Sequence, residues 1–347
     1  MDRKSWTITG ALLGAAGLAA WLWQKGNGRH APAAGRAEGP WTAAEIPDLI
    51  DTTAVVTGAN SGLGYETALA LAQQGAHVVL AVRSVARGER AAAEICAAAP
   101  GASVAVAELD LADLNSVRAF AAWFLGEHET LELLVNNAGV MAIPRRETAD
   151  GFEMQFGVNH VGHFALTGLL LPALLRAEES RVVTVSSGAH QGGRINFDDL
   201  QSRERYSAFG AYAQSKLANL LFAYELQRRL DAAGASVSSV AAHPGYAATN
   251  LQRRGPEMNE SRLQAALMEA ANRIFAQSAA QGALNTLYAA VAPGVEGGEY
   301  VAPDGLMTMR GYPVTRASSR ASYDAEAAAR LWEISERLTG VQYQALA

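Results

Sequence analysis

From residue 52 onward, short runs of β-branched and small apolar residues alternate with longer stretches of helical periodicity. The runs are Ala54–Thr57, His77–Val82, Val104–Leu109, Leu131–Asn136, Arg181–Ser186 and Ser236–Ala242, with a shorter one at Glu299–Ala302. Near-continuous apolar runs suit strands covered on both faces, and the stretches between them supply the helical crossovers that parallel strands require. The pattern predicts an α/β fold: a Rossmann-type doubly wound parallel sheet of about seven strands with helices on both faces. No linker composition interrupts it, so residues 41–347 read as a single domain.

Ahead of this pattern the chain changes character. No charge falls between Lys4 and Lys25, and Trp6–Trp23 is apolar, just long enough for the roughly 20-residue helix that crosses a bilayer core. Trp6 lies at one end and Trp21 and Trp23 at the other, where aromatic rings favour the headgroup zone. Gly10 and Gly14 form a GxxxG pair suited to close helix approach. Residues 1–25 read as an N-terminal membrane anchor, with a cleaved signal peptide and a soluble helix or leader as the alternatives. Lys25, Arg29 and Arg36 outnumber Arg3 and Lys4, which places the main domain on the cytoplasmic side. Residues 26–40, rich in Gly, Pro and Ala without periodicity, read as a flexible linker.

Composition narrows the classes. Half of the 347 residues are hydrophobic, enough for a sizeable core, and the net charge of −6 argues against nonspecific nucleic-acid binding. The one cysteine, Cys96, excludes an internal disulfide or a Cys-rich metal site. Within the helical run Glu89–Ala99 it reads as a small buried filler. His160, His163 and His190 lack metal-ligand spacing and read as structural or surface residues, so no metal is expected.

The first strand runs directly into Thr57-Gly58-Ala59-Asn60-Ser61-Gly62-Leu63-Gly64, and a helical segment follows. Glycines at this spacing permit a tight turn and close backbone approach to a pyrophosphate, and the helix start adds free N–H groups. The segment predicts a dinucleotide-binding loop at Gly58, Asn60, Ser61, Gly62, Leu63 and Gly64. The second strand ends at Arg83. An acidic residue there would accept bonds from the adenine ribose, whereas an arginine pairs with a 2′-phosphate; the expected cofactor is NADP rather than NAD. Arg87 stands one turn further on.

Tyr212 and Lys216 form a YxxxK pair on one face of a predicted helix from Ala211 to about Ala233. A lysine ammonium beside a phenol favours the phenolate, so Lys216 is expected to lower the Tyr212 pKa and make it an acid/base. Ser187 ends the fifth strand, where parallel sheets place ligands.

Taken in order, TGxxxGxG, Asn136-Asn137-Ala138-Gly139, Ser187 and YxxxK resemble the classical short-chain dehydrogenase/reductase family over roughly residues 41–340. The resemblance implies hydride transfer between a nicotinamide and an alcohol/carbonyl pair. It makes Ser187, Tyr212, Lys216 and Asn159 catalytic: Tyr212 moves the proton, Lys216 assists it and binds ribose, Ser187 orients the carbonyl, and Asn159 holds a water. It places Asp110 and Leu111 near adenine, Asn137, Ala138 and Gly139 along the cofactor, and Pro244, Gly245 and Thr249 over the nicotinamide. It also implies a homo-oligomer through the Tyr212 helix and the Phe152–Leu175 helix. Leu80-Ala-Val-Arg83-Ser, Asp198-Asp-Leu-Gln-Ser202, the run Ala211–Asn219 and the tail Ala328-Ala-Arg-Leu-Trp332 resemble retinol-dehydrogenase-like and protochlorophyllide-reductase-like members, some of which carry N-terminal anchors.

After Thr249, Leu263, Leu267, Ile274 and Phe275 recur at helical spacing. They form either an ordinary amphipathic helix or one wall of a pocket for a lipophilic substrate. A module that binds NADP without turnover is the alternative to an enzyme, and an isomerase that returns its hydride is a third reading.

Overall fold

The computed structural model describes residues 39–246 and 277–346. Eight strands form one sheet in the order β3-β2-β1-β4-β5-β6-β7-β8. They are β1 (Thr53–Thr57), β2 (His77–Val82), β3 (Ser103–Glu108), β4 (Leu133–Asn136), β5 (Ser180–Val185), β6 (Val237–Ala242), β7 (Tyr300–Pro303) and β8 (Pro313–Thr315). All neighbours run parallel except β7 and β8. The doubly wound sheet expected from the hydrophobic pattern is therefore present, with one short antiparallel edge strand added. Three residues that open with Pro313 give too little periodicity to be read from sequence.

Among the described residues, the longer helices are α1 (Gly62–Gln73), α2 (Val85–Ala98), α3 (Leu114–Glu127), α4 (Gly162–Arg176), α5 (Ala208–Ala232), α6 (Ala279–Val291) and α7 (Ala325–Thr339). On one face of the sheet, Val55, Leu134 and Val182 meet apolar residues of α3, α4, α5 and α7. On the other, Val56, Leu80 and Val135 meet those of α1, α2 and α6. Both faces of each central strand are thus dry, which is why these strands read as continuous apolar runs.

Met154–Arg176 is a continuous helical stretch, and among the described residues it alone is long and apolar enough to cross a membrane. Most of it is buried inside the fold: Phe164, Leu166, Leu170 and Leu174 are fully enclosed, so it is a core helix. The expected anchor, residues 1–25, lies outside the described residues.

One expectation about an individual residue needs correction. Cys96 is exposed rather than buried, because Ile95 takes the inward position on α2 and the next residue turns about 100° toward solvent. Of the two helices expected to form an oligomer face, α5 is covered within the chain over much of its length. Residues 211–226 of α5 are all buried within the single chain. Trp332 of α7 packs on Phe164 and Phe222, with ring centroids 5.1 and 5.9 Å away, and Tyr343 donates its hydroxyl to the Phe164 carbonyl at 2.7 Å.

Candidate active site

The strand order reverses between β1 and β4, and the crevice at their carboxyl ends is where such sheets take ligands. Gly58 and Gly62 carry φ of +68° and +60°, a backbone shape only glycine adopts freely. A Cβ on Gly64 would stand 2.5 Å from Asn137 Nδ2 and 2.7 Å from the Gly58 carbonyl, so glycine is required for the loop to fold against β4. Ser61 caps α1 without a side-chain hydrogen bond, which leaves the first-turn N–H groups for an anion.

A cavity of about 220 Å³ lies over this turn. Gly58, Asn60, Ser61, Gly62, Leu63, Gly64, Arg83, Asp110, Leu111, Asn137, Ala138 and Gly139 all line it, as the sequence predicts. Ser84, Arg87, Val140, Met154 and Val158 line it as well. Of these only Arg87 carried a sequence signal, and the apolar members had none. The Asn60 amide orientation that satisfies both partners puts its oxygen 3.1 Å from Arg87 Nε and 3.3 Å from Arg87 Nη2. Glycine walls, a helix start and two arginines at one end fit a dinucleotide with its phosphates.

Thr57, visible in sequence only as part of the turn motif, organises the floor. Its Oγ1 accepts from the N–H groups of Asn137 and Ala138, each at 2.9 Å, while Asn137 Nδ2 donates back to the Thr57 carbonyl at 2.7 Å. This fixes the Asn137–Gly139 segment against the glycine turn.

Gly139 joins the cavity to the second half of the site. A Cβ built on it would meet Asn159 Oδ1 at 2.9 Å and Lys216 Nζ at 3.6 Å. Asn159 sits in a π-helical turn, Gly157–Val161, ahead of α4; such turns recur at functional sites. Its side chain makes three bonds: Oδ1 accepts from Val140 N at 2.8 Å, and Nδ2 donates to the Val140 carbonyl at 3.0 Å and to Ser215 Oγ at 2.9 Å.

Ser207 caps α5 at its start, and the helix carries Tyr212 and Lys216 past the end of β5. Lys216 Nζ donates to the Val185 carbonyl at 3.0 Å, as does Asn219 Nδ2. Ser186 Oγ donates to the Lys216 carbonyl at 2.8 Å. Burial holds the Lys216 ammonium down to about 8. Burial pushes the Tyr212 phenol up to about 12, with its hydrogen bond to Ser187 pulling the other way. The expected lowering of the phenol by Lys216 is therefore not what this arrangement gives. The ammonium lies 5.9 Å from the ring centroid and is bonded to a strand carbonyl, so desolvation dominates.

Pro244 and Gly245 follow β6. The Pro244 carbonyl accepts from Gln277 Nε2 at 2.7 Å, and Gly245 has φ +73° beside the Met309 carbonyl. Gln277 also accepts from Gly311 N at 3.3 Å, a tie that carried no sequence signal. Thr249 lies outside the described residues, as do Leu263, Leu267, Ile274 and Phe275.

His160 and His163 are both buried, and among the described residues no group of three or more His, Cys, Asp or Glu side chains is arranged to hold a metal.

Fold, glycine turn and the Ser187–Tyr212–Lys216 arrangement define a nicotinamide-type oxidoreductase architecture, and the family model for short chain dehydrogenases matches residues 52–260. The chain belongs to the short-chain dehydrogenase family and is an oxidoreductase of alcohol and carbonyl groups. It is 44% identical to mouse (Mus musculus) retinol dehydrogenase 12 over 305 residues, covering 87% of this chain and 90% of that protein. It is 49% identical to mouse retinol dehydrogenase 11, over 70% of this chain and 74% of that one. A crystal structure of an uncharacterised protein from Mycobacterium paratuberculosis superposes with a TM-score of 0.73 at 46% identity, covering 88% of this chain and 99% of the other. A structure described as an NAD(P)-dependent gluconate 5-dehydrogenase from Beutenbergia cavernae, with bound NADP, aligns at 28% identity and TM-score 0.56, over 76% and 96%.

Proposed function

We propose that this chain is an NADP(H)-dependent enzyme that interconverts a lipophilic carbonyl compound and its alcohol, with Tyr212 as the acid/base. The observation that carries the reading is the shared wall at Gly139. The cavity that suits a dinucleotide ends where Lys216 and Asn159 begin, and the Ser187 hydroxyl lies near enough to Tyr212 to pull its phenol down against burial.

When bound, the nicotinamide supplies the hydride for a carbonyl carbon or accepts it from an alcohol carbon. Tyr212 donates its phenolic proton to the carbonyl oxygen in the reductive direction. A phenol pushed up to about 12 holds that proton at neutral pH, the form a general acid requires. Ser187 Oγ donates a second hydrogen bond to the same oxygen and fixes its place. Lys216, held down to about 8, exchanges a proton near working pH and restores the phenol. Arg83, with Arg87, pairs with a 2′-phosphate through charge-assisted bonds, which favours NADP.

Support for a lipophilic substrate comes from the retinol dehydrogenases among the similar proteins and from Phe209. That side chain is 59% exposed one turn before Tyr212, with ring centroids 6.2 Å apart; it offers an apolar wall beside the reacting oxygen. Residues 1–25 serve as a membrane anchor that leaves the catalytic domain in the cytoplasm, where such substrates are reached from the bilayer.

NADPH oxidation over a panel of lipophilic aldehydes and ketones tests the reading, with Tyr212→Phe as control. Turnover by the wild type and loss of about 10²-fold or more in the variant is expected. Unchanged turnover in Tyr212→Phe overturns the proton assignment. NADPH binding without turnover on any substrate would make the chain a cofactor-binding scaffold. Arg83→Asp should weaken NADP binding by at least tenfold while sparing NAD; equal loss of both removes the 2′-phosphate argument.

A further inference from the structure

Two buried histidines each bond, through Nδ1, the main-chain carbonyl of a residue in the proposed site and, through Nε2, a partner far away in sequence. His163 Nδ1 lies 3.0 Å from the Asn159 carbonyl, and its Nε2 lies 2.9 Å from Thr57 Oγ1. His190 Nδ1 lies 2.6 Å from the Ser187 carbonyl, and its Nε2 takes the Ser319 N–H at 3.2 Å. A carbonyl only accepts, so both Nδ1 atoms carry hydrogen. The Ser319 amide only donates, so Nε2 of His190 is bare. Thr57 Oγ1 already receives two N–H groups and has no lone pair left for a third donor. Its own hydrogen goes to His163 Nε2, the nearer acceptor at 2.9 Å against 3.3 Å for the Val135 carbonyl.

We infer that His163 and His190 are positioning residues, neutral imidazoles in the Nδ1–H form that hold the carbonyls of Asn159 and Ser187 and tie each to a distant part of the fold. This rests on the proposed function for the meaning of the two carbonyls. His163 connects the π-helical turn to the last residue of β1, and through Thr57 to Asn137 and Ala138. This imidazole therefore ties the main chain of Asn159 to the floor of the cofactor cavity, while the Asn159 side chain bonds Val140 on the other side. His190 connects Ser187 to the segment leading into α7, which fixes the backbone from which the Ser187 hydroxyl projects.

The surroundings keep both rings uncharged. Burial holds each down to about 4. Lys216 and His160 face His163, and His243 and the Tyr300 ring face His190; none of these is an anion that would favour an imidazolium. A second proton on either ring would point an N–H at a donor.

The test uses the full chain with NADPH and a carbonyl compound that the wild type turns over. His163→Leu and His190→Leu remove both bonds; His163→Asn and His190→Asn keep a donor where Nδ1 stood. The leucine variants are expected to lose about 10²-fold in kcat per folded molecule, the penalty of a misplaced site group. The asparagine variants should recover most of it, with KM for the carbonyl compound nearly unchanged in all four. Leucine variants that turn over at the wild-type rate, or asparagine variants as slow as the leucine ones, overturn the inference while Tyr212→Phe remains inactive. If Tyr212→Phe itself stays active, the proposed function falls and this inference with it. Nitrogen-15 spectra of the wild-type imidazoles, assigned with the asparagine variants, give a reading independent of how the leucine variants fold. Both rings should show the Nδ1–H form at neutral pH, and an Nε2–H form or a cation in either one overturns the assignment.

Discussion

At the scale of single residues, the site is a set of close approaches that leave no room for an added atom. Gly64→Ala puts a methyl 2.5 Å from Asn137 Nδ2 and 2.7 Å from a backbone oxygen. It should abolish NADPH binding in a fluorescence titration and lower the melting temperature, because the clash falls on the buried first turn of α1; unchanged binding refutes the close approach. Lys216 offers a test with a sign. Its folded pKa, about 8, lies below the usual lysine value of 10.5, so folding bears a buried charge at low pH and sheds it as pH rises from 8 to 10.5. Lys216→Met should be inactive yet melt at or above the wild-type temperature at pH 7. That advantage should shrink across pH 8 to 10.5; a constant difference in melting temperature over that range refutes the assignment. The predicted site residues were legible because their spacing is local: a glycine turn, a YxxxK face, a strand end. Thr57, His163, His190 and Gln277 were not, because each acts through partners far away in sequence, Thr57 and His163 being 106 residues apart.

At the scale of elements, hydrophobic runs marked the inner strands most directly, because those are dry on both faces, a condition composition records; the edge strand β3 is only partly covered. The alternation says nothing about a helical turn's class, so the π-helical Gly157–Val161 could not be foreseen from residues that suit any helix. Nor does it show which side of a helix a small residue takes, as Cys96 demonstrates. Helix α7 illustrates what the tail contributes. It buries Trp332 against Phe164, Phe222 and Tyr343, and Arg229 lies 4.5 Å over the indole. Trp332→Ala should cost about 3–5 kcal/mol in urea unfolding. Asp324, whose carboxylate accepts from Ala327 N at 2.9 Å at the helix start, should cost about 1 kcal/mol when replaced by alanine. A Trp332→Ala effect below 1 kcal/mol would mean that the tail packs only loosely.

At the scale of the whole molecule, the same helix decides which surfaces remain for other copies of the chain. Because residues 211–226 are buried within one chain, an assembly built on α5 would have to displace α7. Light scattering on residues 39–347 should show that any oligomer persists after charge substitutions at the exposed positions of α5, Arg228 among them. Dissociation on such substitution would show that this face is used after all. The late position of α7 also has a consequence for synthesis. Until residues 325–343 are added, the chain holds every described strand and the long Tyr212 helix, while the indole and phenol that close their apolar side are still to come. Loss of the final two dozen residues would then leave a polypeptide with every reactive group present and an open oily flank, a species for proteases and chaperones rather than for catalysis.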